Sequence, residues 1–432
     1  MLLTENGFAA EFELAQANLY ANLAANRGGS FAYFGAGTGT SPLPIMVSYF
    51  NPTATNNPNI AQGLAGSGYT ATNFANSTLV TALSRNLPSI GTFSGSSFES
   101  SATRRANALA NGRPLNFFYV NPTTPGNSYT VDNTSETWYN SAVVEIRRRL
   151  SNGLRVNANY VLSRAMANAF TEDASGLAAG AGFTQRPNGL KLARNLQISD
   201  VRHQFKLDAT YDLPFGKGRQ FGSGANGFMN AIIGGWSLAP TVRWQSGSPI
   251  LVGNVQLVGM TVKELQKMVK VRKEASLVFW LPDDVILNSQ KAFDVSVANT
   301  TTNNGYGTTF GTGGPTGKFI APAGYGNCVS TYAGQCGFNN LVIYGPSFFK
   351  LDASLTKTFK FSERGNIELR MTTLDVLNHP NFRVGNWGAA RVTAGCCTST
   401  FGQLSNGAAY QDTSTTNDPG GRIIDLGFRV NW

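Results

Sequence analysis

The chain has 432 residues, with 34 Lys or Arg, 24 Asp or Glu and 2 His, for a formal charge of +10. Charged residues make up 13%, about half the roughly 25% of soluble domains, and this argues against a cytosolic enzyme core. Aromatic residues at 11% are too many for a disordered tail. The densest basic clusters are Arg147-Arg148-Arg149 and residues 263–273, with no zinc-finger or other nucleic-acid motif, so nucleic acid is not an expected partner.

Met1-Leu2-Leu3-Thr4-Glu5 shows neither the basic nor the apolar region of a signal peptide. Residues 28–84 carry no charge, but Gly, Pro, Asn and Thr punctuate them throughout. A membrane-spanning helix needs about 20 consecutive, mostly apolar residues, so this stretch reads as loop. Residues 11–22 have a helical pattern. With so little alternation, residues 1–135 are expected to form a large extracellular loop region.

From residue 136 the pattern changes to strict alternation, the mark of strands with one apolar and one polar face. Trp138, Ala142, Val144 and Ile146 alternate with Tyr139, Ser141 and Glu145. Leu154, Val156, Ala158, Tyr160 and Leu162 alternate with Arg155, Asn157, Asn159 and Ser163. Phe205, Leu207, Ala209 and Tyr211 alternate with Lys206, Asp208 and Thr210, and Trp236, Leu238, Pro240, Val242 and Trp244 with Ser237, Thr241 and Arg243. Phe349, Leu351, Ala353, Leu355 and Phe359 alternate with Lys350, Asp352, Ser354 and Thr356. Ile367, Leu369 and Met371 follow, and Ile424, Leu426, Phe428, Val430 and Trp432 end the sequence. These segments predict about seven long strands, near 137–150, 153–165, 203–214, 235–246, 347–361, 366–377 and 421–432.

A soluble β-sandwich also alternates. Three features favour a transmembrane antiparallel β-barrel instead. The segments are longer than the usual strand of about 5–6 residues. Their polar faces carry both charge signs, as a watery lumen allows. Trp236 and Trp244 share one face about 26 Å apart, at about 3.3 Å per residue, close to the apolar band of about 25 Å on an outer-membrane barrel. Trp138, Trp236 and Trp244 are therefore the candidate interfacial aromatics.

Connections alternate in length as well. Ser151-Asn152-Gly153 reads as a three-residue hairpin with Gly153 in the left-handed position. Residues 362–365 form another short turn, and 214–234 a medium one. Residues 166–202, 247–346 and 378–420 are long. Outer-membrane barrels place short turns in the periplasm and long loops outside. Within the 247–346 insertion, Thr261 and Glu264 have capping-box spacing, and Pro282-Asp283-Asp284 suits a helix start. Cys328 and Cys336 share a Gly-rich loop, where a disulfide is expected in an oxidising compartment; two unpaired thiols are the alternative. Cys396-Cys397 receive no assignment. His203 and His379 have no paired nucleophile and read as strand-end polar residues. No catalytic, cofactor-binding or metal-binding residues are expected, and no enzyme activity. Lys217/Arg219 and Arg147/Arg148/Arg149/Arg155 lie at short-turn ends, as contacts to anionic phospholipid heads or as plain solubilising charges.

Several strings occur in a telling order: Asp200-Val201-Arg202-His203-Gln204-Phe205, Tyr211-Asp212-Leu213-Pro214-Phe215-Gly216-Lys217-Gly218-Arg219, Gly234-Gly235-Trp236 and Gln245-Ser246-Gly247-Ser248-Pro249. Asp375-Val376-Leu377-Asn378-His379-Pro380-Asn381-Phe382 and Gly427-Phe428-Arg429-Val430-Asn431-Trp432 come later. The set resembles the C-terminal barrel region of Oar-like TonB-dependent receptors of the acidobacterial type. The resemblance implies that residues 136–432 are a C-terminal barrel segment in the outer membrane of a Gram-negative-type cell. It implies a plug and TonB contact lying outside this sequence, and transport of a large extracellular substrate. Phe428, Val430 and Trp432 resemble the C-terminal sorting signal read by the barrel assembly machinery. A surface adhesion protein and a secreted carbohydrate-binding sandwich are the alternatives.

Overall fold

The computed structural model describes residues 6–50, 74, 79, 101–114, 117, 136–168, 195–196, 199–252, 255–274, 277–294, 306–329, 334–338, 341–362, 365–382, 401–403 and 422–432. Everything below concerns these residues. Cys396 and Cys397 lie outside them.

The main element is an antiparallel sheet built from the alternating segments. Its strands are β1 (Thr137–Ser151), β2 (Leu154–Ala167), β4 (His203–Asp212), β5 (Trp236–Gln245), β12 (Phe348–Lys360), β13 (Asn366–Leu374) and β14 (Ile423–Asn431), paired in that order. The two-residue β3 (Asn195–Leu196) pairs with the end of β2. Each long strand lies beside its neighbour in sequence, an up-and-down order in which short turns close one end. The described path is open: β1 pairs only with β2, and β14 only with β13.

Register converts the alternation into two continuous faces. Ile146, Ala158, Leu207, Val242 and Leu351 lie side by side across five strands. The neighbouring row is Glu145, Asn159, Lys206, Arg243 and Lys350. A shift of one residue in any strand would mix the two faces. Pro240 sits in the middle of β5, where a residue without an N–H ordinarily argues against a central strand. Register with β12 is kept there, Pro240 opposite Ala353, while the pairing of β4 with β5 skips from Thr241 to Leu238. The missing donor is thus placed toward β4.

The hairpin between β1 and β2 is tighter than the sequence suggests. Ser151 faces Leu154, leaving a two-residue loop in which Asn152 (φ 55°) and Gly153 (φ 76°) are both left-handed. Asn-Gly is the preferred pair for such a turn, because its twist matches that of the strands. The expected three-residue loop is corrected accordingly.

Apolar cores lie outside the sheet, in two units at the long-loop end. One is built on α1 (Phe8–Ala24) and α2 (Pro44–Phe50), with α3 (Ala102–Ala110) beside α2. Phe8, Phe12, Leu19, Phe31, Leu43, Met46 and Phe74 are fully or almost fully buried there. The region expected as loop thus has a core of its own, formed by contacts distant in sequence. Polar side chains of α1 replace absent strands: Asn18 donates to the carbonyls of Phe31 and Ser41, and Asn22 to those of Ser30 and Ala32.

The second unit lies within the 247–346 insertion. It contains three two-stranded pairs: β6 (Pro249–Val252) with β11 (Leu341–Tyr344), β7 (Val255–Val258) with β10 (Phe319–Pro322), and β8 (Arg272–Glu274) with β9 (Leu277–Phe279). Helix α5 (Val262–Met268) begins at the capping box of Thr261 and Glu264, and α6 (Asp283–Phe293) begins after Pro282. Pro282 is the cap itself and Asp283 the first helical residue, so the proline stands one place before its usual first-turn position. Helix α4 (Gly227–Ile233) lies at the opposite end, within the turn between β4 and β5. Tyr20 Oη donates to the Gly324 carbonyl at 2.6 Å, joining the two units.

Candidate membrane interface

A water-soluble sheet buries at least one face. Here none of the ten residues of β4 is buried, and β5 buries only its last residue, Gln245. No apolar cluster of the described residues includes the sheet's central positions. The apolar face is instead left open, with Leu426 77%, Phe428 67% and Leu369 45% exposed. A face of that extent needs an apolar environment from outside the protein. This observation separates a membrane sheet from a sandwich.

The two rims of the apolar face carry aromatic groups. At the long-loop rim, Tyr160, Phe205, Trp244 and Phe349 stand in one row. His203 lies between Tyr160 and Trp244, its ring 6.2 Å from each, and its Nδ1 shares a 2.7 Å hydrogen bond with Tyr160 Oη. On β1 this row continues at Val144, opposite Tyr160, and Trp138, opposite Met166, lies on the same face further along the strand. His203 is thus a member of an aromatic girdle, where amphipathic rings bridge hydrocarbon and water. At the short-turn rim stand Tyr211, Trp236, Phe359 and, at the end of β14, the 94% exposed Trp432. Phe428, Val430 and Trp432 share the apolar face with Leu369 and Ile367.

The polar face is cross-linked by side chains. Asn157 Nδ2 donates to Asp208 Oδ1 at 3.0 Å, and Arg155 approaches Asp208 at 3.8 Å. Lys350 lies 3.8 Å from Asp352. The β2–β4 pairs cross strands and the Lys350–Asp352 pair runs along β12; charged pairs of both kinds suit a watery lumen. No helix of the described residues is long and apolar enough to cross a membrane.

Sequence comparison decides what this sheet belongs to. Residues 56–424 match the family model described as outer membrane beta barrel domain. The chain belongs to that family. A search of the curated proteins found no match. The chain is accordingly an outer-membrane protein, and the open apolar face is its lipid-facing side. Short turns of such barrels ordinarily lie in the periplasm; here the turns at 152–153 and 213–235 stand at one end of the sheet and the insertion unit at the other.

Several residues of the ordered strings serve architecture. Asn381 substitutes for a strand at the outer end of β12: Phe349 N donates to its Oδ1 at 2.8 Å, and its Nδ2 donates to Phe349 O at 2.9 Å. Asn378, left-handed at φ 51°, accepts the amide of Arg422. Gly235 is left-handed at φ 70°, and a Cβ there would stand 2.4 Å from the Thr358 carbonyl. Cys328 and Cys336 are joined by a disulfide, with Cα atoms 5.9 Å apart.

The alternation does not reveal Lys357. It lies on the apolar face, opposite Trp236 and Leu369, yet is only 4% exposed. Its Nζ donates to the carbonyls of Gly234 and Ile232. The cation lies 5.2 Å from the Trp236 ring centroid and 4.9 Å from that of Phe359. Period-two reading skips this residue because its partner, α4, is more than a hundred residues away in sequence.

Proposed function

We propose that the chain is the C-terminal barrel part of an Oar-like TonB-dependent receptor that moves a large substrate across the outer membrane. The observation that carries this reading is the sheet with both described edges, β1 and β14, unpaired, bearing a two-core head at its outer end. A sheet edge in hydrocarbon leaves backbone groups unsatisfied at several kcal/mol each, so further strands must complete the wall. The ordered strings add the family resemblance. A plug and a TonB contact come from outside the described strands, and the head presents the surface that meets the substrate. Phe428, Val430 and Trp432 offer the assembly machinery an aromatic-ended strand whose outer edge is free. No catalytic step, metal or cofactor belongs to this reading, and His203 is committed to the girdle.

Expression of residues 1–432 behind a signal peptide tests it, followed by heat-modifiability gels and liposome conductance. The expected result is no stable conducting monomer until the missing strands and plug are supplied. A monomer that conducts unaided overturns the reading. Restored surface binding without uptake in the completed protein would favour an adhesion protein instead.

A further inference from the structure

We propose that the turn between β4 and β5, residues 213–235, is a lipid-seated foot that inserts α4 into the periplasmic leaflet and binds its anionic phospholipid headgroups. The inference rests on the outer-membrane belt and is independent of transport.

Position comes first. Trp236 and Lys357 face each other on the apolar side of the sheet. Trp236 Nε1 donates to Ile232 O at 2.9 Å, and Lys357 Nζ donates to the same carbonyl at 3.3 Å. Both donors stand on the lipid side and meet the C-terminal end of α4, so the helix folds outward over the belt and not across the lumen. A cation at that end also suits the helix dipole.

The turn is built to hold this position. Gly216 N donates to Phe221 O and Phe221 N to Pro214 O, which closes a small loop. Asn230 Oδ1 accepts Lys217 N at 2.7 Å, tying that loop to α4. Gly216 is left-handed at φ 112°, and a Cβ there would stand 2.7 Å from Asn230 Oδ1.

The outward surface is apolar. Phe228 is 78% exposed, with Ile232, Phe221 and Met229 also open. It is continuous with the belt through Trp236. The charge also fits a membrane: residues 213–235 contain Lys217 and Arg219 and no acidic residue. Amphipathic helices with this division settle about 5–10 Å into the boundary between headgroups and acyl chains. Basic residues at that level attract anionic lipid. A periplasmic protein would also cover an apolar patch, but it would have no need of a patch placed on the lipid side of the belt.

The test uses the completed protein, with the further strands and plug in place, reconstituted in phospholipid vesicles, with Cys396→Ser and Cys397→Ser to remove the other cysteines outside the disulfide. Phe228→Cys carries an environment-sensitive fluorophore, and Leu207→Cys a control within the belt. Lipids brominated at shallow or deep acyl positions act as quenchers. The expected result is quenching of the 228 probe by shallow bromines and of the 207 probe by deep ones. Lys217→Gln with Arg219→Gln should weaken the shallow quenching in vesicles containing phosphatidylglycerol and leave it unchanged in phosphatidylcholine. A 228 probe open to aqueous iodide and untouched by bromines, while the 207 probe is quenched, overturns the foot. A 228 probe shielded from both quenchers marks a protein partner and overturns it equally. An unquenched 207 probe removes the belt, and the foot with it. Equal effects of the double substitution in both lipids would overturn the anionic-headgroup part.

Discussion

Tyr344 Oη donates to Asp200 Oδ2 at 2.6 Å, while Asp200 Oδ1 accepts the amide of Ala165 at 2.5 Å. One buried carboxylate therefore fastens the insertion unit, through β11, to the outer end of β2. Burial and the bond to Asp200 push the Tyr344 hydroxyl well above its ordinary range, so it remains a donor at alkaline pH. Within the insertion itself, Gln266 of α5 holds Tyr344 in place, its amide bonding the carbonyl and amide of Tyr344 at 2.9 and 2.7 Å. Tyr344→Phe keeps the ring and removes the hydroxyl. It should weaken the joint by about 1.5–3 kcal/mol, the range for a hydrogen bond to a charged group. Faster limited proteolysis within 247–346, with the sheet intact, is the measurement.

Glu11 gives the first cored unit a pH dependence. Its carboxylate oxygens accept the amides of Ile45 and Met46 at 2.7 and 2.6 Å. Burial outweighs those bonds and pushes its pKa from 4.5 up to about 7. The folded unit then holds a proton that the unfolded chain releases. Stability should be full below the ordinary carboxylate range, fall as pH rises toward about 7 and level off above it. Glu11→Gln should flatten that slope. Hydrogen exchange at the Ile45 and Met46 amides, corrected for intrinsic rates, reads it.

The disulfide supports the seam between the cored units. Val329, next to Cys328, packs against the core around α1, and Gly324 accepts Tyr20. Non-reduced peptide mapping of protein recovered from outer membranes should find Cys328 joined to Cys336; free thiols there would contradict the pairing. Replacing both by Ser should cost about 2–3 kcal/mol, the scale for a short closed loop, and loosen the seam before the sheet.

Single-cysteine labelling tests the two faces directly. Leu207 and Leu351 should react only with membrane-soluble reagents, and Lys206 and Asp352 only with aqueous ones. A mixed result along either row would contradict the register that sets Leu207 beside Val242 and Lys206 beside Arg243.

The strands were legible because their signal is local: alternation from Phe205 to Tyr211 needs no knowledge of the rest of the chain. The Thr261–Glu264 cap was legible for the same reason. Lys357 and α4 were not, since each makes sense only beside the other. The core around Phe8, Phe31 and Phe74 was also hidden, because it joins segments with no shared period. Asn152-Gly153 carried its turn type openly, and only the assumed loop length differed.

The sheet has no interior of its own, whereas the two head units do. Its stability should therefore track bilayer thickness, with each ångström of mismatch between belt and hydrocarbon costing a fraction of a kcal/mol. The head should be indifferent to that variable. Changing acyl-chain length would then shift one unfolding transition and leave the other in place, dividing the molecule by the solvent each part recognises.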